Sequence, residues 1–378
     1  MNKKLPKTWK ELKLLDCLET DSVPTKIKLQ TKQYLIEGKY PIIDQGEKYI
    51  AGYCNDEDKI YPYSNEVIIF GDHTKRFKYV NFQFCVGADG TKILVPKKEL
   101  LYSKYFYYYL LTLKLEDEGY SRYYRFLQRR TVIIPPLSTQ KHIVAILEKA
   151  EKIKEKRQIT NEDTNKIIQS VFYEMFGDQA KIRARKVELN KLVEEFRYGT
   201  SVKSSNSGDP VLRIPNIIGD KINLIGLKYV LLGDKERSKI LLKKGDILFV
   251  RTNGNPNYVG RSAVFNLTGE YVYASYLIKA STKKDLINPI YLVNFLRLPS
   301  ERKQILRKCR TSAGQFNINT EGLGTLLIYV PKIELQNQFA EIVQKIESLK
   351  EKQNRSTNDI NQLFDALMQK AFNGELIT

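Results

Sequence analysis

Histidine and cysteine are scarce in this chain, and neither is arranged for catalysis or metal binding. Its 378 residues include two histidines and four cysteines: His73 and His142, and Cys17, Cys54, Cys85 and Cys309. Two histidines in unrelated contexts give no basis for a nucleophilic triad, and the cysteine spacings do not match those of zinc ligands. We therefore expect no metal site, and we expect reduced thiols in a cytoplasmic protein.

The chain also lacks the motifs of secretion, membrane insertion and nucleotide hydrolysis. The basic N-terminus runs into residues 9–13, Trp-Lys-Glu-Leu-Lys, which are not an apolar run, and no stretch has the length of a membrane span. No glycine-rich phosphate loop with its Lys-Ser or Lys-Thr is present, which argues against ATP hydrolysis in this chain. We therefore expect no membrane association and no bound cofactor.

A catalytic role has little support in the sequence. Residues 288–291, Asn-Pro-Ile-Tyr, resemble the Asn-Pro-Pro-Tyr motif of amino-methyltransferases, but the second proline is missing and no glycine-rich cofactor motif follows a strand upstream. Asn-Pro at this place favours the start of a helix. No cluster of Asp, Glu and Lys suggests a nuclease. We therefore predict no catalytic residue.

What the chain does have is a long internal repeat. Residues 134–178 recur without a gap as residues 330–374, so that Pro135 corresponds to Pro331 and Gln140 to Gln336. The offset of 196 residues is far longer than the periods of stacked repeat proteins, and it therefore marks two large halves. We predict four segments, which are half-domains at 1–132 and 180–327 and helical regions at 133–179 and 328–378.

Lysine and arginine are in excess only outside the repeat. Residues 1–132 hold 23 basic and 17 acidic residues, and residues 180–327 hold 26 and 12. The repeat segments are nearly neutral, with seven of each sign in 133–179, and six basic and seven acidic residues in 328–378. This division predicts a polyanionic ligand for the half-domains, and a protein partner, or each other, for the repeat segments. The alternative, a drift of the whole composition toward lysine, would spread the excess evenly.

Apolar residues in the repeat segments follow the spacing of a helix face. They are Ile143, Ile146, Leu147, Ala150 and Ile153 in the first copy, and Phe339, Ile342, Val343, Ile346 and Leu349 in the second. Each segment predicts a helix of about 38 residues, or about 57 Å, with Gly177 or Gly374 as a left-handed cap. The polar middles, 154–166 and 350–359, predict an antiparallel coiled coil with a hydrophilic waist. The alternative is that each helix packs only on its own domain.

Polar loops are the candidate binding elements of the half-domains. Residues 64–70 align with residues 244–250, and each apolar strand opens into a polar loop. The candidate residues are Asp72, His73, Thr74, Lys75, Arg76, Arg122, Tyr123 and Arg125 in the first half, and Tyr198, Thr200, Lys203, Arg213, Arg251, Thr252, Asn253, Asn255 and Arg261 in the second. Arginine and asparagine can pair with guanine and adenine edges, and basic or hydroxyl side chains suit phosphates. For any one of these residues, a solvated surface role is the alternative.

Three motifs resemble those of a known family. Residues 5–9 read Leu-Pro-Lys-Thr-Trp, residues 135–140 read Pro-Pro-Leu-Ser-Thr-Gln, and residues 371–376 read Ala-Phe-Asn-Gly-Glu-Leu. They resemble the opening, the first helix start and the closing motif of specificity subunits of type I restriction–modification systems. The resemblance covers essentially the whole chain, although the second helix begins less typically, with Pro-Lys-Ile at residues 331–333.

The resemblance implies an α/β fold with two target recognition domains, each a twisted sheet with small helices, joined by two long antiparallel helices that form a coiled-coil spacer. Each domain would read one half of a split site in double-stranded DNA, without catalysis by this chain. Two methyltransferase subunits, docked in part on the helical regions, and motor–nuclease subunits would carry out adenine methylation and cleavage. S-adenosylmethionine and ATP with magnesium would belong to those partners.

Two other classes of protein stay open as alternatives. A methyltransferase or nuclease with its own recognition domains would require a cofactor motif, and none is visible. A coiled-coil scaffold without a nucleic-acid ligand would give no reason for the uneven distribution of basic residues.

Overall fold

The chain packs into two compact units. The computed structural model describes residues 6–19, 27–62, 66–87, 90–116, 119, 122–177, 186–219, 221–312 and 314–376. The first unit comprises Met1–Gln158 with Arg355–Thr378, and the second comprises Ile159–Asn354. Several positions used in the sequence motifs lie outside the described residues, namely Leu5, Ser64, Asn65 and Asp178.

The first unit is a small α/β assembly. Its strands are β1 (Lys10–Lys13), β2 (Tyr40–Ile43), β3 (Gly52–Cys54), β4 (Val67–Gly71), β5 (Phe77–Val80), β6 (Cys85–Val86), β7 (Thr91–Leu94) and β8 (Thr131–Ile134). Its helices are α1 (Ser103–Thr112), α2 (Tyr124–Leu127) and the first part of α3 (Leu137–Phe176). The sheets have the strand orders β5-β4-β7, β3-β2-β6 and β1-β8. Every residue of β4 is buried, as expected of an apolar run at the centre of a sheet.

The second unit has the same plan with additions. Its strands are β9 (Lys186–Glu188), β10 (Val193–Tyr198), β11 (Asp209–Leu212), β12 (Ile217–Ile218), β13 (Lys221–Ile222), β14 (Lys228–Val230), β15 (Ile247–Val250), β16 (Thr252–Asn253), β17 (Ser262–Val264), β18 (Val272–Tyr273), β19 (Leu277–Thr282), β20 (Arg310–Ser312), β21 (Gln315–Asn317) and β22 (Leu327–Tyr329). Its helices are α4 (Asp234–Ile240), α5 (Pro289–Leu296), α6 (Pro299–Lys308), α7 (Thr320–Gly324) and the first part of α8 (Ile333–Phe372). The sheets have the strand orders β10-β19-β15-β17, β14-β11-β18, β16-β21-β20, β12-β13 and β22-β9.

The two units share their strand pairing. β4 and β15 each lie between two antiparallel neighbours, and β2 and β11 each have one antiparallel and one parallel neighbour. The mixed α/β fold predicted for both halves is therefore confirmed. The predicted boundaries after residues 132 and 327 fall inside β8 and β22, so these strands belong to their sheets and not to the helical regions.

The two long helices are antiparallel within each unit. In the second unit the ring centroids of Phe172 and Phe339 are 5.5 Å apart, and Gln353 bonds to Thr164, so residue numbers rise along α3 as they fall along α8. In the first unit the ammonium of Lys154 lies 4.4 Å from the ring centroid of Phe364. The predicted antiparallel pairing is confirmed, and each helix has 40 residues. Among the described residues, no helix combines the length and apolar character needed to cross a membrane.

Most of the predicted apolar positions face the pair, but two do not. Six are buried, namely Ile143, Leu147, Ala150, Phe339, Val343 and Ile346, while Ile146 and Ile342 are half-buried. Ile153 and Leu349 are 52% and 46% exposed, so these two positions of the helix face do not pack between the helices. The residue after each of them is a half-buried lysine. The Lys154 ammonium packs on the Phe364 ring, and Lys350 forms an ion pair with Glu347 at 3.1 Å. The predicted caps are confirmed, since Gly177 and Gly374 have φ values of 33° and 75°.

A buried glutamine on α3 joins the long helix to the segment that precedes α1 in the first unit. The amide oxygen of Gln140 accepts a hydrogen bond of 2.8 Å from the backbone of Tyr102. Its amide nitrogen donates to the carbonyls of Leu100 and Pro135, both at 2.8 Å. These bonds satisfy a fully buried amide, which would otherwise be costly.

The second unit repeats this joint with different neighbours. The amide oxygen of Gln336 accepts from the backbone of Asn288 at 2.9 Å. Its amide nitrogen donates to the carbonyls of Leu286 and Pro331 at 3.1 and 2.8 Å. The repeat noted in the sequence therefore encodes one structural joint, built twice.

Aromatic side chains complete the joint in each unit. The hydroxyl of Tyr105 donates to the carbonyl of Ile133 at 2.8 Å, and Tyr291 donates to Tyr329 at the same distance. The rings of Phe372 and Phe176, the equivalent helix ends, pack on Tyr105 and Tyr291 at 5.4 and 5.0 Å between ring centroids. Tyr105 is therefore a packing residue.

Candidate nucleic-acid interface

In the first unit, the loop between β4 and β5 is a tight turn held from two sides. The backbone N–H of Lys75 donates to the carbonyl of Gly71, and Gly71 donates to Arg76, both at 2.9 Å. Lys75 has a φ of 57°, the left-handed conformation that closes the turn. Gln45 holds the loop from outside, since its side-chain oxygen accepts from the backbone of His73 at 3.1 Å and its carbonyl accepts from the hydroxyl of Thr74 at 2.7 Å.

The same loop is joined to the Arg122–Arg125 segment through Asp72. The carbonyl of Asp72 accepts from the backbone of Tyr123 at 2.7 Å, and its carboxylate accepts from the backbone of Tyr124 at 2.8 Å. The ammonium of Lys75 lies 4.3 Å from the ring centroid of Tyr123. The structure thus brings together two candidate segments that lie 52 residues apart, and the buried Asp72 side chain is what joins them.

We call the cationic side chains around this junction the first basic surface; they are Lys75, Arg76, Lys92, Arg122 and Arg125. Arg76, Arg122 and Arg125 are exposed. Arg76 pairs with Glu47 at 3.2 Å, and both side chains are open to solvent, so the pair is weak and easily exchanged for another anion. Lys92 lies 4.0 Å from the Asp72 carboxylate.

In the second unit, Arg251 occupies the loop that follows β15, and its backbone is fixed on both sides. Its N–H donates to the carbonyl of Tyr276, and its own carbonyl accepts from Ile318, both at 2.9 Å. Its guanidinium carbon lies 4.9 Å from the ring centroid of Tyr198. The structure therefore places Arg251 and Tyr198 together, in a stacked and pre-organised position.

The loop continues through two asparagines whose orientation is set by the backbone. The side-chain oxygen of Asn253 accepts from the N–H of Asn255 at 2.9 Å, and that of Asn255 accepts from Asn257 at 3.0 Å. Asn255 is exposed and Asn253 is half-buried. A carboxamide with a fixed orientation can present its donor and acceptor to a base edge.

Two guanidinium groups lie side by side at the end of this loop. Arg261 donates to the carbonyl of Asn257 at 3.1 Å and stacks on Tyr258, 3.7 Å from the ring centroid. Arg302 donates to the carbonyl of Val259 at 2.7 Å. Burial, together with the charge of Arg261, lowers the pKa of Arg302. Such adjacent cations favour an anion between or above them.

Two threonines among the candidates are buried and bonded inside the unit. The Thr252 hydroxyl donates to Gln315 at 2.9 Å, and the Thr200 hydroxyl donates to Glu236 at 2.7 Å. The carbonyl of Thr200 also accepts from Ser275, next to the Tyr276 that holds Arg251. Both threonines therefore hold the loops in place through hydrogen bonds inside the unit.

Arg213 and Lys203 belong to a different part of the second unit. The Arg213 guanidinium donates to the carbonyl of Gly226 at 2.9 Å, and its backbone N–H donates to Asn216. Lys203 is exposed and lies two residues before Ser205. Ser205 forms an isolated antiparallel bridge with Tyr229 of β14. Their contacts are to the β11–β14 region and not to the Arg251 loop.

Sequence reasoning missed Gln45, Lys92, Tyr276 and Arg302. Gln45 is 28 residues from the loop that it holds, and no local pattern connects the two. Tyr276 is an exposed aromatic in the turn between β18 and β19, which is a visible signal for a contact residue. Arg302 was hidden because α6 reads as an ordinary amphipathic helix.

The cysteines are free thiols, and three of the four are buried. The buried ones are Cys17, Cys54 and Cys85. Burial and the neighbouring Cys54 thiol raise the pKa of Cys85 to about 12, and burial raises that of Cys17 to about 11. Within the described ranges, no group of three or more His, Cys, Asp or Glu side chains is placed to hold a metal ion.

Comparison with known proteins identifies the family of this chain. The model of the family described as "Type I restriction modification DNA specificity domain" matches this chain twice, at residues 6–163 and 187–362. The EcoKI specificity subunit of Escherichia coli strain K12 is 29% identical over 203 residues, which cover 51% of this chain and 43% of that protein. The chain thus matches less than half the length of this relative. The EcoR124I/EcoR124II specificity subunit of Escherichia coli is 28% identical over 374 residues, 89% of each chain.

Solved structures show the same fold. The S subunit of a type I restriction–modification system from M. genitalium has a TM-score of 0.57 at 15% identity and covers 98% of both chains. A chain from a structural study of complex assembly in a type I R-M system has a TM-score of 0.62 at 16% identity and covers 99% of this chain and 100% of that one.

Proposed function

This chain belongs to the type I restriction–modification DNA specificity family, and from that membership we propose that it reads a split site in double-stranded DNA, one half-site per recognition domain. The observation that carries this proposal is the loop after the buried central strand, β4 or β15, in each unit. Both loops bear exposed or half-exposed cations on a backbone held by several hydrogen bonds. A rigid loop loses little conformational entropy on binding, which suits a reader of base edges.

The candidate residues divide into three roles. Arg251, Asn253 and Asn255 read bases, because the guanidinium is stacked and both amides have fixed orientations. The other exposed or half-exposed side chains contact phosphates and sugars: His73, Thr74, Lys75, Arg76, Arg122, Arg125, Tyr198, Lys203, Arg213 and Arg261. Asp72, Tyr123, Thr200 and Thr252 are buried, so we assign them the positioning of these loops.

The long helices serve as the spacer between the two readers and as the docking site for partners. The exposed apolar side chains of the long helices include Ile153 and Leu363 in the first unit, and Ile167 and Leu349 in the second. Ile153 and Leu349, like Ile167 and Leu363, are 196 residues apart and therefore equivalent in the repeat. Two equivalent surfaces suit two copies of one partner, which we take to be the methyltransferase subunit.

Catalysis belongs to the partners in this proposal. Methyltransferase subunits methylate adenine with S-adenosylmethionine, and motor–nuclease subunits cleave with ATP and magnesium. This chain supplies only the recognition of the DNA sequence, and it acts in the cytoplasm, where the DNA is.

Salt-dependent DNA binding by the co-expressed complex tests the proposal. For a protein that contacts phosphates of duplex DNA, the logarithm of the binding constant falls linearly with log[salt]. The slope is about 0.9 per phosphate contacted. Replacing Arg76, Arg122 and Arg125 together by Gln is expected to lower the slope by about three. Genome-wide methylation mapping, with and without this gene, then identifies the motif. An unchanged slope in the triple variant, together with an unchanged methylation pattern on gene deletion, would sink the proposal.

A further inference from the structure

Two arginines from different elements of the second unit share one hydrogen-bond acceptor. The Nε of Arg261, at the end of the loop between β16 and β17, donates to the main-chain carbonyl of Asn257 at 3.1 Å. The Nη2 of Arg302, on α6, donates to the same carbonyl at 3.3 Å and to that of Val259 at 2.7 Å. Both guanidinium groups therefore lie within hydrogen-bonding distance of a single oxygen atom. We call Arg261 and Arg302 the arginine pair.

The charges of the arginine pair are not neutralised by acidic side chains. Elsewhere in the unit the half-buried Arg237 pairs with Asp209 at 2.7 Å. Within the part of the chain that the structure describes, no carboxylate forms an ion pair with Arg261 or Arg302. Arginine stays protonated in proteins, and two like charges this close repel each other. An anion that contacts both groups would remove that cost.

Helix α6, which carries Arg302, is an addition of the second unit. In the first unit α1 ends at Thr112 and α2 begins at Tyr124, shortly before β8. In the second unit α5 ends at Leu296 and α7 begins at Thr320, shortly before β22, and α6 lies in this longer connection. The added helix therefore brings a cation to the loop between β16 and β17 that the internal repeat does not encode.

A glycine allows α6 to approach this loop closely. Gly260 has a φ of 70°, in the left-handed region that favours glycine. A Cβ at this position would lie 2.4 Å from the Cγ2 of Ile305, which follows Arg302 by one helical turn. Val259 and Ile305 are both buried. Packing as well as hydrogen bonding therefore fixes Arg302 beside the loop.

The same loop is hydrogen-bonded to the strand that ends just before Arg251. The N–H of Val250 donates to the carbonyl of Arg261, and the N–H of Gly260 donates to the carbonyl of Val250, both at 2.8 Å. Arg251 follows Val250 directly in the chain. The arginine pair is therefore held in a fixed position relative to the proposed base reader, as a contact that orients a protein on duplex DNA requires.

We propose that Arg261 and Arg302 together hold a single backbone phosphate of the half-site that Arg251 reads. This assignment rests on the proposed function and adds Arg302 to its DNA contacts. Only the Nε of Arg261 and the Nη2 of Arg302 donate to the loop carbonyls, so each guanidinium keeps further N–H groups for phosphate oxygens. Asn257 and Tyr258, beside the pair, are exposed, which leaves this face open to a ligand.

A scan of single uncharged phosphates in the DNA tests the proposal. The co-expressed complex is titrated with duplexes that carry its motif, taken from the methylation map, and one methylphosphonate at each position of both half-sites in turn. One position is expected to weaken binding by the parent about tenfold, the effect of losing a charge-assisted hydrogen bond. In Arg261→Gln and in Arg302→Gln the same position should matter much less, because part of that contact is already missing.

The location of this phosphate and the salt dependence supply two further readouts. The sensitive phosphate should lie in the half-site whose recognition Arg251→Ala relaxes. The double variant of the arginine pair should lower the salt slope by about one, because both side chains contact one phosphate. Arg307→Gln, which changes an exposed arginine on the same helix, is the matched control and should retain the slope and the methylphosphonate response of the parent.

The outcomes separate this proposal from the function on which it rests. Two different phosphates for the two arginines, a sensitive phosphate in the other half-site, or no response to Arg302→Gln would overturn the shared contact, while the complex still reads its motif. A parent complex that binds its motif no better than an unrelated duplex would overturn both. If Arg302→Gln fails to fold, Arg302→Lys replaces it, since lysine keeps the charge but not the planar fork. A methylphosphonate effect in Arg302→Lys equal to that in the parent contradicts the proposal.

Discussion

Gln353 on the second long helix donates a hydrogen bond of 3.0 Å to the hydroxyl of Thr164 on the first, and both side chains are buried. Thr164 in turn donates to the carbonyl of Thr160 one turn earlier, so the hydroxyl is both donor and acceptor. This contact lies in the polar middle of the pair, where most neighbours are exposed. A buried polar contact in such a seam favours one register of the two helices over others.

Thr164→Val is expected to destabilise the helix pair of the second unit by about 1–3 kcal/mol, because the Gln353 amide loses a buried acceptor. Hydrogen exchange along residues 164–176 should accelerate accordingly. Thr160→Val, at an exposed position on the same helix, is the matched control and should change exchange little. Equal exchange in the two variants would show that this contact contributes no stability.

Arg251→Ala is expected to relax recognition at one base of one half-site, at a cost of about 1–3 kcal/mol in discrimination. The reason is that, in the proposed function, the guanidinium that lies 4.9 Å from the ring centroid of Tyr198 contacts a base. The measurement is methylation of a randomised duplex library by the co-expressed complex. Lys284→Ala is the control, since this exposed cation follows the opposite end of β19 from Tyr276. Uniform loss at all positions, with the motif retained, would reassign Arg251 to phosphate contact.

Ile153→Glu is expected to remove one of two methyltransferase subunits from the complex, and Ile153→Glu with Leu349→Glu to remove both. A charge in the centre of an apolar contact opposes burial, and the two positions lie on the two equivalent surfaces. Native mass spectrometry of the purified complex counts the subunits. Lys152→Glu introduces the same charge one residue away, at another exposed position, and should leave two subunits bound. Full occupancy in the double variant would place the docking site elsewhere.

The ion pairs of Glu347 with Lys221 and Lys350 predict an acid-sensitive second unit. Because the folded pKa of Glu347 lies below its ordinary value of 4.5, its stabilisation is fully present above that value and is lost as the pH falls through the folded pKa. Glu347→Gln should therefore be less stable than the parent at neutral pH and should lose less stability on acidification. Hydrogen exchange in β15, compared at pH 7 and pH 4 with intrinsic rates corrected, provides the measurement. A parallel pH dependence in both proteins would contradict this account.

The helices and central strands were predictable because their signals are local. The spacing of Ile143 and Leu147 reports a helix face, and the apolar run at 247–250 reports a buried strand, whatever the rest of the chain does. The exposure of Ile153 has the opposite origin. Helical spacing placed it on the apolar face, but the Phe364 ring on the other helix accommodates the neighbouring Lys154 instead.

By itself, the sequence determined that the molecule has two halves, two long helices of equal length, and an excess of basic over acidic residues that is confined to the half-domains. Those properties depend on repetition, periodicity and composition, which can be read along the chain. Only the tertiary structure decided that Asp72 holds Tyr124, that Arg251 lies on Tyr198, and that Arg302 lies beside Arg261. These relationships join side chains far apart in sequence. They depend on which surfaces pack against each other away from water, and on which buried polar groups form hydrogen bonds with one another.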